Sequence, residues 1–343
     1  LKFGHFCLPS YYADVYPSVG KHMRHLVDFM AGSEELGFDA LWANEHHFHG
    51  YGGHIPSPPV FLSALAQRTK RVRLGTSIIV MPLHNPIEIA EQMAMVDLMS
   101  GGRMDLGVGR GFVLHDHEIF GSKMADGQSK TTEGLEVILK AWTGQPLNHH
   151  GQHYHYENLT VWPKPEQEPP PVWMACSNNP ESFAWTGRQG YRLLTVAYLK
   201  PLPVLGQLTG MYRDSWAASG RPAAECELGT HYQVIIDEDG ARARRRAEEA
   251  LRRYSGLLRE SLSQASDVHA ALAHSNQEGI DIPKLVDEGR LAAGTPDEIT
   301  AMLARAQDEL GVTIVDCSFM FGGITYEEAD RSIRLFASEV MPK

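Results

Sequence analysis

"RVRLGTSIIVMPLHNPIEIAEQMAMVDLMSGGRMDLGVG", residues 71–109, contains a complete strand–helix–strand unit. Residues 72–80 are apolar and β-branched. Residues 85–102 open with an early proline and close on paired glycines, the boundary residues that helices prefer. Residues 103–109 form a second apolar run. Two continuous apolar strands joined by a helix imply parallel pairing with both sheet faces covered.

Outward from this unit the pattern repeats. Strands are expected at 2–8, 38–44, 171–177, 191–197, 227–237 and 312–319, each followed by a helical segment. With the two above they make eight strand candidates, so the expected fold is an α/β single domain, a closed (β/α)8 TIM barrel. Insertions are expected at about 111–128, 147–171 and 255–290. The second reads as a β-hairpin and proline-rich connector, the third as a polar, helix-prone stretch. In such a barrel chemistry sits in the loops after the strands.

A chain of 343 residues with 43% hydrophobic and 21% charged side chains is an ordinary globular composition. The net charge of −11 gives no positive field for a nucleic acid. The basic stretch "ARARRRAEEALRRY" (241–254) carries glutamates at helical spacing and reads as a solvated helix face. Cys7, Cys176, Cys226 and Cys317 show no metal-ligand spacing, which suits a reducing, cytoplasmic setting. No stretch reaches membrane-spanning length, and residues 1–10 read as a strand, not a signal peptide.

"NEHHFHGYGG" (44–53) falls directly after the second strand, where function is expected. Its residues suit a metal, proton exchange or a simple strand cap. A zincin motif is absent, since "HEIFG" (117–121) lacks the second histidine, and "HHGQHYHY" (149–156) reads as alternating surface histidines of a hairpin. We therefore expect no metal. "GVGRG" (107–111) lacks dinucleotide spacing; Arg110 there either grips a phosphate oxygen or sits on a plain tight turn. "CSNNPES" (176–182) is a stronger anion site, with Asn179 as cap and Pro180 in the first helical position, although Glu181 would compete with a phosphate.

Taken together, "GFDALWANEHHF" (37–48), residues 71–112, and the tail from "GTPDEI" (294–299) to "FGGITYEEADRSIRLFASEVMP" (321–342) resemble the bacterial luciferase-like flavin monooxygenases over nearly the whole chain. The resemblance implies a two-component enzyme. It would use reduced FMN (FMNH2) from a separate NAD(P)H:flavin reductase, and O2, to oxygenate a small, apolar or carbonyl-containing substrate. By the same resemblance His46 is catalytic and Asp116 supports it, raising the imidazole pKa. Arg110 grips the FMN phosphate, with Ala175, Ser177, Asn178 and Ser182 on the phosphate-side loop. "GTSI" (75–78) lies under the flavin ring, implicating Thr76 and Ser77, where the family often has a non-proline cis peptide. Gly109 stands where the luciferase catalytic subunit has a cysteine, which weakens any expectation of light emission.

Tyr11, Phe48, Tyr51, Phe112 and Phe319 are expected to line a substrate mouth. His47 should turn toward the barrel wall and His49 toward solvent. Helices at 58–69 and 85–99 carry more apolar residues than one barrel-facing stripe needs, implying a homodimer. Two alternatives stay open: an FMN-binding protein without turnover, and a metal-dependent barrel hydrolase.

Overall fold

The computed structural model describes residues 1–263 and 280–343. The eight expected strands are present as β1 (Lys2–Cys7), β2 (Ala40–Ala43), β3 (Arg73–Thr76), β4 (Met104–Gly109), β5 (Val172–Ala175), β6 (Arg192–Val196), β7 (Leu228–Ile236) and β8 (Ile314–Ser318). Each pairs in parallel with the next, and β8 pairs with β1, so the sheet closes on itself. The surrounding helices include α1 (Val19–Gly32), α2 (Pro58–Ala66), α3 (Pro86–Ser100), α4 (Gly127–Trp142), α5 (Pro180–Gln189), α6 (Leu202–Ala218), α7 (Gly240–Ser263) and α8 (Tyr326–Glu339). Among the described residues no helix is long and apolar enough to cross a membrane.

The run expected as one strand at 72–80 is divided in two, and one further strand lies outside the expected set. Ile79–Val80 adds a short pairing to β4, and Ala292–Gly294 lies beside the end of β7. The second, three residues long, is too short to show a period. The hairpin is found as Leu147–His150 against Leu159–His155, outside the barrel. Its histidines are not all at the surface: His149 is buried, with Nε2 3.2 Å from Glu133 Oε1. The third expected insertion falls partly on residues 264–279, outside the described residues. The basic stretch does form a salt-bridged outer face of α7, where Arg242, Arg244, Arg246, Arg252 and Arg253 each meet a carboxylate.

The barrel interior is packed rather than hollow. Trp42 on β2 and Trp173 on β5 meet edge to face at 5.3 Å. Trp42 fits only because its neighbour on β3 is glycine: a methyl group on Gly75 would lie 2.1 Å from the indole ring. Alternation along β2 therefore sets residue 42 inward and, one layer nearer the strand's carboxyl end, residue 44 inward as well.

The segment "SGGRMD" (100–105) has a structural reason. Gly101 and Gly102 take φ of 69° and 75°, turning the chain sharply out of α3. Arg103 then spreads its guanidinium over the carbonyls of Ala66, Thr69, Val72 and Ser100, capping the ends of α2 and α3 together. Asp97, fully buried on α3, accepts from the backbone N–H of Met104, Glu166 and Gln167 and from Gln167 Nε2. One carboxylate thus joins helix, strand and proline-rich connector. Asp97→Ala would strand these donors in the interior. It should cost about 3 kcal/mol or more of stability in urea unfolding, with Asp97→Asn costing less; equal stability of all three proteins would contradict this role.

Candidate active site

The loop after β2 is held by a buried charge. Glu45 is 3% exposed, and its carboxylate accepts from His47 Nε2 at 2.9 Å, His84 Nε2 at 2.7 Å and the Val80 N–H at 2.9 Å. Burial opposes its ionisation, yet these hydrogen bonds outweigh that cost and hold the carboxyl at about 2. His47 is thus committed to the wall beneath the loop, as expected. His46 faces the other way, edge-on to Tyr51 at 4.9 Å and to Phe112 at 5.7 Å.

His49 does not turn toward solvent. Its side chain is 1% exposed, and its Nε2 lies 3.7 Å from Asp116 Oδ1. Gly52 takes φ of 68° and passes so close to His46 that a methyl group there would lie 2.9 Å from its Cδ2. Asp116 on the short helix Leu114–Ile119 therefore meets His49 most directly, while one ring nitrogen of His46 lies within 4.8 Å of the facing atoms of both. The expected rise of the His46 pKa is reversed. Burial, reinforced by His49, pushes His46 down to about 3 despite the opposing pull of Glu45. Asp116 moves the other way, to about 6, through burial that nearby His47 and His115 only partly offset. Near neutral pH His46 is a neutral imidazole, with one ring nitrogen to donate a hydrogen bond and the other to accept one.

Two clusters present metal-ligand atoms within 4.8 Å of one another, Glu45–His47–His84 and His46–His49–Asp116. The first is already satisfied by its own hydrogen bonds. In the second, both nitrogens of His49 and Oδ1 of Asp116 have no hydrogen-bond partner. Neither cluster has a local spacing that a sequence pattern could catch.

The expected phosphate residues come together. Arg110, Ala175, Ser177, Asn178 and Ser182 line one cleft between the ends of β4 and β5, joined by Gln128, Thr131 and Trp185. Gln128 and Thr131, on the first turns of α4, had no motif to announce them. Asn179 caps α5 by accepting from the Glu181 N–H, and Pro180 comes next. Glu181 is taken up by Arg188, two turns along α5, so its carboxylate leaves the helix entrance clear. The Ser77–Ile78 peptide is cis, as the resemblance implied. Thr76 is a correction: its hydroxyl donates to Gly107 O and accepts from Gly107 N, so this buried side chain knits β3 to β4 and is spent.

The aromatic set divides. Phe48, 54% exposed at φ 60°, and Phe112, 40% exposed, stand at the barrel mouth, with the Phe120 ring tilted against Phe48 at 5.5 Å. Tyr51 is buried, its hydroxyl 2.8 Å from that of Tyr254 on α7. Tyr11 turns away to the Tyr16 carbonyl. Phe319 is not at the mouth at all; it is fully buried between His5, Phe38 and Phe336, behind the barrel wall.

Known proteins share this fold. The chain is similar to monooxygenase RslO1 from Streptomyces bottropensis, with 28% identity, a TM-score of 0.90, and 100% and 99% of the two chains covered. It also shares its fold with the oxygenating constituent of 3,6-diketocamphane monooxygenase from Pseudomonas putida, a type II Baeyer–Villiger monooxygenase in complex with FMN. That match has 17% identity, a TM-score of 0.78, and 100% and 98% coverage. An F420-dependent glucose-6-phosphate dehydrogenase of Amycolatopsis mediterranei is 26% identical over 93% of this chain and 94% of its own. The family described as luciferase-like monooxygenase matches residues 1–313, and the chain belongs to it.

Proposed function

We propose that this protein is a two-component monooxygenase that takes reduced FMN from a separate NAD(P)H:flavin reductase. With O2 it would oxygenate a small apolar or carbonyl-containing compound. The observation that carries this reading is the cleft that gathers Arg110, Ser177, Asn178 and Ser182 at the entrance of α5, at the same barrel end as His46. A cation, hydroxyls and a helix N-terminus form a fitting cradle for one phosphate, and the orphaned amide of Asn44 supplies unspent polar atoms deeper in the mouth. Bound reduced flavin would supply the O2 chemistry. The protein's part is to hold the phosphate through Arg110, to shield the mouth with Phe48, Phe112 and Phe120, and to exchange a proton at the His46 imidazole.

Family relatives that use F420 make cofactor choice the first test. FMN should bind more tightly than FAD, since the cleft offers one phosphate site and no second one for a pyrophosphate. Arg110→Ala should weaken FMN binding about ten- to a hundredfold by removing a charge-assisted contact. Tighter F420 than FMN binding in fluorescence titration would move the protein to the dehydrogenase side of the family. Oxygen consumption with pre-reduced FMN and substrate separates turnover from mere flavin binding.

The His46–His49–Asp116 cluster favours one second reading, a metal-dependent hydrolase. Stoichiometric metal in the purified protein, with no flavin affinity, would establish that reading instead.

The proton-handling role gives a paired prediction. His46→Ala should keep FMN affinity and lower turnover about a hundredfold or more. Turnover should fall as pH drops through about 6, where Asp116 takes up a proton, and Asp116→Asn should remove that inflection. The sign for stability is opposite. A carboxyl whose folded pKa lies above its unfolded value favours folding at low pH and loses that advantage as pH rises through about 6. Asp116→Asn should therefore melt at higher temperature than wild type above pH 6, with the gap closing near pH 4. A constant gap across that range would remove Asp116 from the titrating role.

The exposed apolar residues on α2 and α3, Val60 (70%), Met95 (50%), Leu98 (47%) and Met99 (39%), support a two-fold dimer through this face. Light scattering at micromolar concentration should give twice the chain mass. Met95→Glu with Leu98→Glu should halve it, and a monomeric wild type would contradict the interface.

A further inference from the structure

Asn44 is 3% exposed, and both its Nδ2 and its Oδ1 are buried without a hydrogen-bond partner. Its backbone is fixed: the N–H continues the β1–β2 ladder to Cys7 O. The alternation that sends Trp42 into the barrel sends Asn44 inward one layer higher, toward the mouth. It stands beside His46. A methyl group on Gly52 would lie 3.0 Å from Asn44 Nδ2 and 2.9 Å from His46 Cδ2, so the amide and the imidazole flank one point.

A buried amide with neither atom satisfied is costly to fold and is rare unless it serves a ligand. A primary amide presents a carbonyl acceptor and an N–H donor side by side. The group that satisfies both at once is a cyclic imide edge, –C(=O)–NH–, which returns a donor and an acceptor at matching spacing. The pyrimidine ring of a flavin carries such an edge. Resting on the FMN reading above, we propose that Asn44 pairs with the N3–H and an adjacent carbonyl of the flavin ring, and so orients the ring against His46. Three strand spacings of about 4.8 Å each separate β2 from β5, so phosphate held on β5 and ring edge held on β2 call for an elongated ligand lying across the mouth. Asn44 is then a cofactor-orienting residue, and the same contact serves any ring with that imide edge.

The test compares FMN with 3-methyl-FMN, in which a methyl group replaces the N3 hydrogen, by equilibrium binding to the apoprotein. Wild type should bind the methylated flavin about ten- to a hundredfold more weakly than FMN. Asn44→Ala should bind FMN more weakly by a similar factor, with the discrimination largely lost. Asn44→Leu, which replaces two unpaired polar atoms by hydrocarbon, should raise the melting temperature of the apoprotein while lowering FMN affinity, a combination that a merely structural asparagine would not give. Equal binding of the two flavins by wild type overturns the proposal and needs no variant to show it. Unchanged FMN affinity in Asn44→Ala with a raised KM for the organic substrate also overturns it, placing the amide on the substrate. Failure of wild type to bind FMN at all would overturn the flavin reading itself; normal FMN binding without discrimination removes only the role of Asn44.

Discussion

The Glu45 carboxylate is the constraint on which the site depends. A charge with almost no exposure survives only if its lone pairs are filled. Here they are filled from three places: His47 on its own loop, and Val80 and His84 beyond β3. The same bonds tie the β2 loop to the β3 loop. Once His47 is pulled under, the chain must send His46 to the opposite side, into the mouth. The pair of histidines in "EHHF" is thus a division of labour enforced by one buried acid. His47 is an anchor, and His46 is free to meet a ligand.

Charge placement around that anchor explains why the histidine is neutral and the aspartate is not strongly acidic. Both His46 and Asp116 sit where water is excluded, and burial penalises whichever form is charged, lowering the base and raising the acid. Glu45, next to His46 in sequence, pulls the His46 pKa upward, but burial and His49 push it down more strongly. The site therefore sets a neutral imidazole, with one donor and one acceptor nitrogen, close to a carboxyl that changes charge near pH 6.

Most of the fold was legible because strand and helix patterns repeat. The β4 unit shows how much a short stretch can carry: paired glycines and Arg103 turn, cap and restart the chain within four residues. The phosphate side was legible too, since "CSNNPES" writes a strand end, a cap and a helix start in order, and Arg110 lies at the facing strand end. What the sequence did not disclose is long-range. Gln128 and Thr131 reach the cleft only because α4 starts beside the end of β4. Phe319 looked like a mouth residue one position past β8, but position along a strand does not say which side of the wall a ring takes. Thr76 failed for a similar reason. Its hydroxyl could face a ligand or a neighbouring strand, and the close approach of Gly107 gave it to the strand.

His49 marks the limit of loop reading. Alternation works along β2 through Asn44, whose N–H still bonds to Cys7 O. Past that residue the period is gone: Phe48 takes a left-handed φ and Gly52 another, each rotating the chain beyond it. A histidine expected in solvent is therefore folded inward against Asp116, and the acid expected to serve His46 reaches it through that second imidazole. The consequence is chemical. With Glu45 spent on the loops and Asp116 facing His49, His46 has no carboxylate of its own to fix its tautomer. The ring nitrogen it offers at the mouth is set by packing against Tyr51 and Phe112 and by whatever ligand lies beside Asn44. In this site, then, orientation of the acid–base group and orientation of the ligand are one problem, solved by a rigid strand end instead of by a dedicated ion pair.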